Sequence, residues 1–73
     1  MTEILNLRGL KCPLPALKTR KALRSLPAGA EIIVECTDPM AVIDIPNMVR
    51  EAGDLLQETV RTDDAIAFRI RRA

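Results

Sequence analysis

Residues 8–17 read RGLKCPLPAL, and the two prolines in this stretch decide where the first helix of the chain begins. Proline is tolerated in the first helical turn, where its missing N–H would have no intrahelical partner, so Pro13 and Pro15 mark a helix start and not an interruption. Cys12 then falls at or next to the N-cap. Unpaired amides and the positive end of the helix dipole stabilise an anion there, which favours thiolate over thiol. Lys11 and Arg8 add positive charge, and no acid nearby in the sequence opposes them. The expectation is a reactive thiol that alkylates at lower pH than a free cysteine and faster than Cys36.

Working outward, Glu3 to Leu7 is short, apolar and partly alternating, as a first strand would be, and Arg8-Gly9 turns the chain towards Cys12. From Pro13 to about Leu26 the pattern is helical. Ala16, Thr19, Leu23 and Leu26 recur at spacings of three and four and predict one buried stripe. Leu14 and Leu17 lie off its centre, either exposed beside the cysteine to dock a partner or packed against a neighbouring loop. Pro27-Ala28-Gly29 ends the helix, and Glu31 to Thr37 reads as a second strand with Ile32, Val34 and Cys36 on one face. Cys36 is thus expected as a small buried residue, with a resolving-thiol role open only if it approaches Cys12.

Asp38-Pro39 is a second helix-opening signal, with Asp38 as cap and Pro39 in the first position. Pro46 predicts a short first turn and a break, with Asp44 capping the piece that runs on to about Ala52. Ile45, Met48, Val49 and Ala52 form its core face, and Gly53 its C-terminal cap. Leu55 to Thr62 and Ile66 to Arg71 flank Asp63-Asp64-Ala65 as a hairpin. The order is strand, helix, strand, helix, strand, strand. A right-handed βαβ crossover pairs the first two strands in parallel, giving a mixed four-stranded sheet with both helices on one face, an α/β (α+β) two-layer sandwich.

The 73 residues make one small domain, residues 1–73, with 48% apolar and 29% charged side chains and no linker, repeat or low-complexity tract. Phe68 is the single aromatic, so packing falls to aliphatic residues and the stability margin is on the order of 3–5 kcal/mol. Two distant cysteines without a CxxC suit a reducing compartment, and no cationic leader or membrane-spanning run is present, so a soluble cytoplasmic chain is expected. Net charge is +1, yet Arg8, Lys11, Lys18, Arg20, Lys21 and Arg24 fall in a segment from Ile4 to Ala30 that holds no acid. Such asymmetry fits an anionic ligand, an acidic partner, a nucleic acid or simply a solvated helix face.

The missing residues narrow the chemistry. There is no histidine, tyrosine or tryptophan, and Ser25 is the only serine, which excludes Ser–His and Cys–His hydrolases. Neither a structural zinc site nor a glycine-rich phosphate loop is encoded, and no cofactor is expected. The carboxylates form no paired constellation along the chain and read as surface charges and helix caps. What remains is thiol chemistry that needs no general base, including attack on a sulfane sulfur to form a persulfide.

RGLKCPLPAL followed by TDPMAVIDIP resembles the TusA/SirA-like sulfur carriers across essentially the whole chain. Their CPxP motif stands here as Cys12-Pro13-Leu14-Pro15, in the context of Arg8-Gly9-Leu10, Asp38-Pro39 and Asp44-Ile45-Pro46. The resemblance implies a βαβαββ sandwich similar to the C-terminal domain of bacterial translation initiation factor three. It implies that Cys12 carries sulfur as a persulfide, received from a cysteine desulfurase or rhodanese-like donor and passed to an acceptor protein. Relays of this kind serve transfer RNA thiolation, molybdenum cofactor synthesis or sulfur oxidation in different members. Pro13 and Pro15, with Gly9, would shape the turn presenting the sulfur, and Arg8, Lys11, Leu14 and Lys18 would hold an anion or contact the partner. The chain departs from many members in having Asn6 in place of an acid, and from the transfer RNA thiolation member in having Leu14 in place of one.

The expected protein is a monomeric, sulfurtransferase-type carrier and not a stand-alone turnover enzyme. Two alternatives stand beside it. One is a thiol redox switch or protein-interaction regulator. The other is an RNA-contacting module using the basic helix, against which the lack of exposed aromatics counts.

Overall fold

The computed structural model describes residues 3–73. Strands β1 (Glu3–Leu7), β2 (Glu31–Cys36), β3 (Leu55–Arg61) and β4 (Ile66–Arg71) alternate with helices α1 (Leu14–Arg24) and α2 (Ala41–Ala52) in the expected order βαβαββ. The sheet order is β1-β2-β4-β3. β1 and β2 are parallel, and β4 runs antiparallel to both β2 and β3. The sheet is therefore mixed, with the hairpin's last strand inserted beside β2 and its first left at the edge.

Period-two alternation fills the core from the two central strands. Ile32, Val34 and Cys36 of β2 lie opposite Ile70, Phe68 and Ile66 of β4, and all six are buried. Leu23 of α1 joins this same cluster, as do Ala41, Ile45 and Val49 of α2, so both helices pack on one face of the sheet. Phe68 is the largest of the fully buried side chains. β3 is exposed along its whole length, because the helical layer closes over the central strands and leaves this edge to solvent.

Two elements differ from the expectation. The buried stripe of α1 is Pro15, Thr19 and Leu23, rotated from the predicted centre, while Ala16 and Leu26 only flank the core. Proline at the second helical position packs inward, and the Thr19 hydroxyl tolerates burial by donating to the Pro15 carbonyl at 2.7 Å. In α2 there is no break at Pro46: the helix runs unbroken from Ala41 to Ala52. A proline forfeits one hydrogen bond, but Ile45 and Val49 on either side of it are fully buried, and their packing holds the turn together. Gly53 closes the helix at φ +80°, the left-handed conformation that glycine adopts without strain.

In the sequence Arg72 is only one of several terminal cations. In the fold it reaches back across the sheet end and donates from Nη1 to the carbonyls of Leu23 and Leu26, at 2.6 and 2.8 Å. The Leu23 carbonyl also accepts from the Leu26 amide at 3.1 Å, so the guanidinium adds a second donor at the C-terminal end of α1, where a cation meets the negative end of the helix dipole.

Candidate functional site

Parallel pairing of β1 with β2 sends the loops that follow them off the same end of the sheet. Leu7 is opposite Cys36 at that end, so the loop carrying Cys12 runs beside the loop carrying Asp38. Two bonds lace them together. The Gly9 amide donates to Thr37 Oγ1 at 2.8 Å, and the Cys12 amide donates to Asp38 Oδ2 at 2.5 Å. Gly9 sits at φ +83°, which is why the turn after β1 takes glycine. Asn6 Oδ1 accepts from the Arg8 amide at 3.0 Å and braces the start of the same turn.

Asp38 works with both oxygens. Oδ1 accepts from the Met40 amide at 3.1 Å and shapes the lead-in to α2, whose N-cap is Met40. The predicted cap at Asp38 with Pro39 in the first helical position is thus corrected: the helix begins later, and the carboxylate spans two loops. Asp44 departs further from expectation. It caps no helical piece, since α2 is continuous, and from the first turn of that helix its Oδ2 accepts from the Cys12 thiol at 2.7 Å.

Cys12 is therefore held by two carboxylates, Asp38 on its amide and Asp44 on its thiol, and its electrostatics run opposite to the sequence expectation. The hydrogen bond to Asp44 holds the Cys12 thiol above the usual cysteine range, reinforced by partial desolvation and by the negative charges of Asp44 and Asp38. The helix start expected to counter this is depleted by its own prolines. Pro13 and Pro15 have no N–H to offer, and the amides of Leu14 and Leu17 are bonded to the carbonyls of Lys11 and Pro13. Arg8 is turned away as well, its Nε lying 3.6 Å from Glu35.

The remaining candidates separate by position. Pro13 is the N-cap of α1 and Pro15 is buried beneath it. Lys11 and Leu14 are exposed beside the cysteine in the chain, whereas Lys18 lines a shallow groove with Leu5, Lys21, Ala22 and Ser25 along the flank of α1. Leu14 and Leu17 on α1, with Met40 and Ile43 at the start of α2, are exposed large apolar residues on the two segments that meet at the sulfur. Cys36 is fully buried, and burial with the charge of Asp38 pushes its thiol up to about 11. Both cysteines are free. No helix among the described residues is long and apolar enough to cross a membrane.

Reading the carboxylates as surface charges misses the convergence of Asp38 and Asp44 on Cys12. A signal is present in the sequence: parallel pairing of the first two strands places whatever follows each of them at one sheet end.

Together these features define a small two-layer βαβαββ domain that offers one thiol outward at the end of its sheet. The chain belongs to the family described as Sulfurtransferase TusA, whose model matches residues 3–72. It is 32% identical to the sulfur carrier protein TusA of Allochromatium vinosum over 94% of this chain and 91% of that one. It is 31% identical to the putative sulfur carrier protein YrkI of Bacillus subtilis, over 96% and 93% of the two chains. Its fold matches the crystal structure of the SirA-like protein from Desulfitobacterium hafniense with a TM-score of 0.84 at 25% identity, covering 97% of this chain and 96% of that one.

Proposed function

We propose that this protein is a sulfur carrier that accepts sulfane sulfur on Cys12 as a persulfide and relays it to an acceptor protein. The observation that carries this reading is the placement of Cys12: an exposed thiol at the sheet end, while the only other thiol of the chain is buried. Support also comes from exposed Leu14 and Leu17 on α1 and Met40 and Ile43 at the start of α2, apolar side chains that would supply contact area to a partner receiving the sulfur. Curated relatives bearing sulfur-carrier names over nearly the full chain length support the same reading.

The chemistry balances without a cofactor or an external oxidant. Cys12 attacks the terminal sulfur of a donor persulfide, a new S–S bond forms at Cys12, the donor's S–S bond breaks, and the departing donor thiolate takes up the proton that Cys12 gives up. The donor is a cysteine desulfurase or a rhodanese-like protein, and the acceptor repeats the exchange with its own thiolate or activated substrate. In this role the protein passes through one cycle per encounter as a monomeric substrate of its partners.

Incubation with a cysteine desulfurase and cysteine, or with a rhodanese and thiosulfate, is expected to add one sulfur atom that reductant removes, read by mass spectrometry. Cys12→Ser should lose the adduct and Cys36→Ala should keep it. An undiminished adduct in Cys12→Ser, or none in the wild type with either donor class, would overturn the proposal.

A further inference from the structure

Among the described residues Asp44 is the one side chain hydrogen-bonded to the sulfur, and the relay proposed above gives it no role. The bond it accepts is solvent-exposed, and among the described residues the single ion pair joins Arg8 to Glu35, so neither Asp44 nor Asp38 has a cationic partner there. The charged groups beside the sulfur by contact or chain position are these two acids, from the first turn of α2 and its lead-in, and Lys11, while the β3–β4 turn brings Arg61, Asp63 and Asp64 against Thr37 and Pro39 at the same sheet end. These two acids, without an ion-pair partner among the described residues, put negative charge at the sheet end that carries the sulfur.

We propose that Asp44 is a charge latch on Cys12: it holds the sulfur as a hydrogen-bonded thiol in the free carrier, and a cationic side chain of the docking donor frees the nucleophile by taking the carboxylate. The transfer step rests on the carrier reading. Pairing Asp44 with an incoming cation removes both the hydrogen bond to the thiol and the nearest negative charge, so the proton leaves Cys12 for the departing donor thiolate as the S–S bond shifts. At hand-off the same carboxylate repels the loaded persulfide anion and favours its departure. Asp38 has a separate part, holding the Cys12 backbone through its amide, and positions the sulfur without contacting it. The latch makes the resting carrier slow towards stray electrophiles and selects donors by the charge beside their persulfide.

The test uses the whole protein and no sulfane sulfur. Asp44→Asn keeps the side-chain shape, and Asp44→Ala is the second variant, with circular dichroism melting to confirm the fold of each. Iodoacetamide alkylation of Cys12, followed between about pH 6 and 10, is expected to shift to lower pH in both variants, with a severalfold faster rate at neutral pH. Thiol–disulfide exchange is then compared with cystamine, hydroxyethyl disulfide and dithiodipropionate, which are cationic, neutral and anionic. Wild type should react in that order at low salt, and Asp44→Asn should shrink the ratio of cationic to anionic rates severalfold. An alkylation profile unmoved in both folded variants, or the same charge preference with and without Asp44, would overturn the latch. Failure of persulfide loading would instead overturn the carrier reading, since neither arm contains a sulfur donor.

Discussion

The two cysteines have the same chemistry and opposite surroundings. Cys12 is exposed with its thiol tied to a carboxylate, and Cys36 is sealed under the helices. In a time course of alkylation read by mass spectrometry, Cys12 is expected to react first and Cys36 only after denaturation, even though Cys12 is itself a slower thiol than free cysteine at neutral pH. Cys36 also couples to stability. Its folded pKa, about 11, lies above the ordinary 9.0, so the folded state binds the proton more tightly than the unfolded one. Its contribution is fully present below pH 9 and is lost as pH rises towards 11. Urea midpoints measured across that range should fall in the wild type and fall less in Cys36→Ala.

Helices and strands here depend on neighbours as much as on their own sequences. α1 has no side-chain cap at its N-terminus, and at its C-terminal end the carbonyls of Leu23 and Leu26 accept from Arg72 at the far end of the chain. Arg72→Ala is expected to cost about 1–3 kcal/mol in urea unfolding, while leaving the alkylation rate of Cys12 unchanged, because the cap sits at the opposite end of α1. The strand and helix order is legible from alternation and from the prolines and glycines between elements, and β1, β2 and β4 run as their patterns predict. Pro46 misleads. A proline inside a helical pattern is a local signal of a break, and only the buried packing of Ile45 and Val49 shows that the helix continues through it.

At the scale of the whole molecule, one aromatic and a set of aliphatic side chains make a single small core. Phe68 sits in it with no solvent exposure, and a cavity left by Phe68→Ala costs about 3–5 kcal/mol. That is the entire margin of about 3–5 kcal/mol expected for a domain of this size. The variant should be largely unfolded at 25 °C by circular dichroism. Val60→Lys on the open edge strand should change stability by about 0.5 kcal/mol or less, since that strand lies outside the helical cover. The Tm values of these two variants together check where the core ends.

The amino-acid order by itself determined the succession of elements, the buried faces of β2 and β4, and which cysteine is exposed and proposed as the nucleophile. Those features rest on periodicity and on proline and glycine stereochemistry, which act over a few residues. Only the tertiary structure decided the electrical state of that nucleophile. Lys11 and Arg8 are its neighbours in the chain, but Arg8 turns to Glu35, and parallel pairing of β1 with β2 brings up Asp38 and Asp44 from 26 and 32 residues away. Charge acts through space, so the acids that set the sulfur's proton affinity became visible only once the two loops stood side by side.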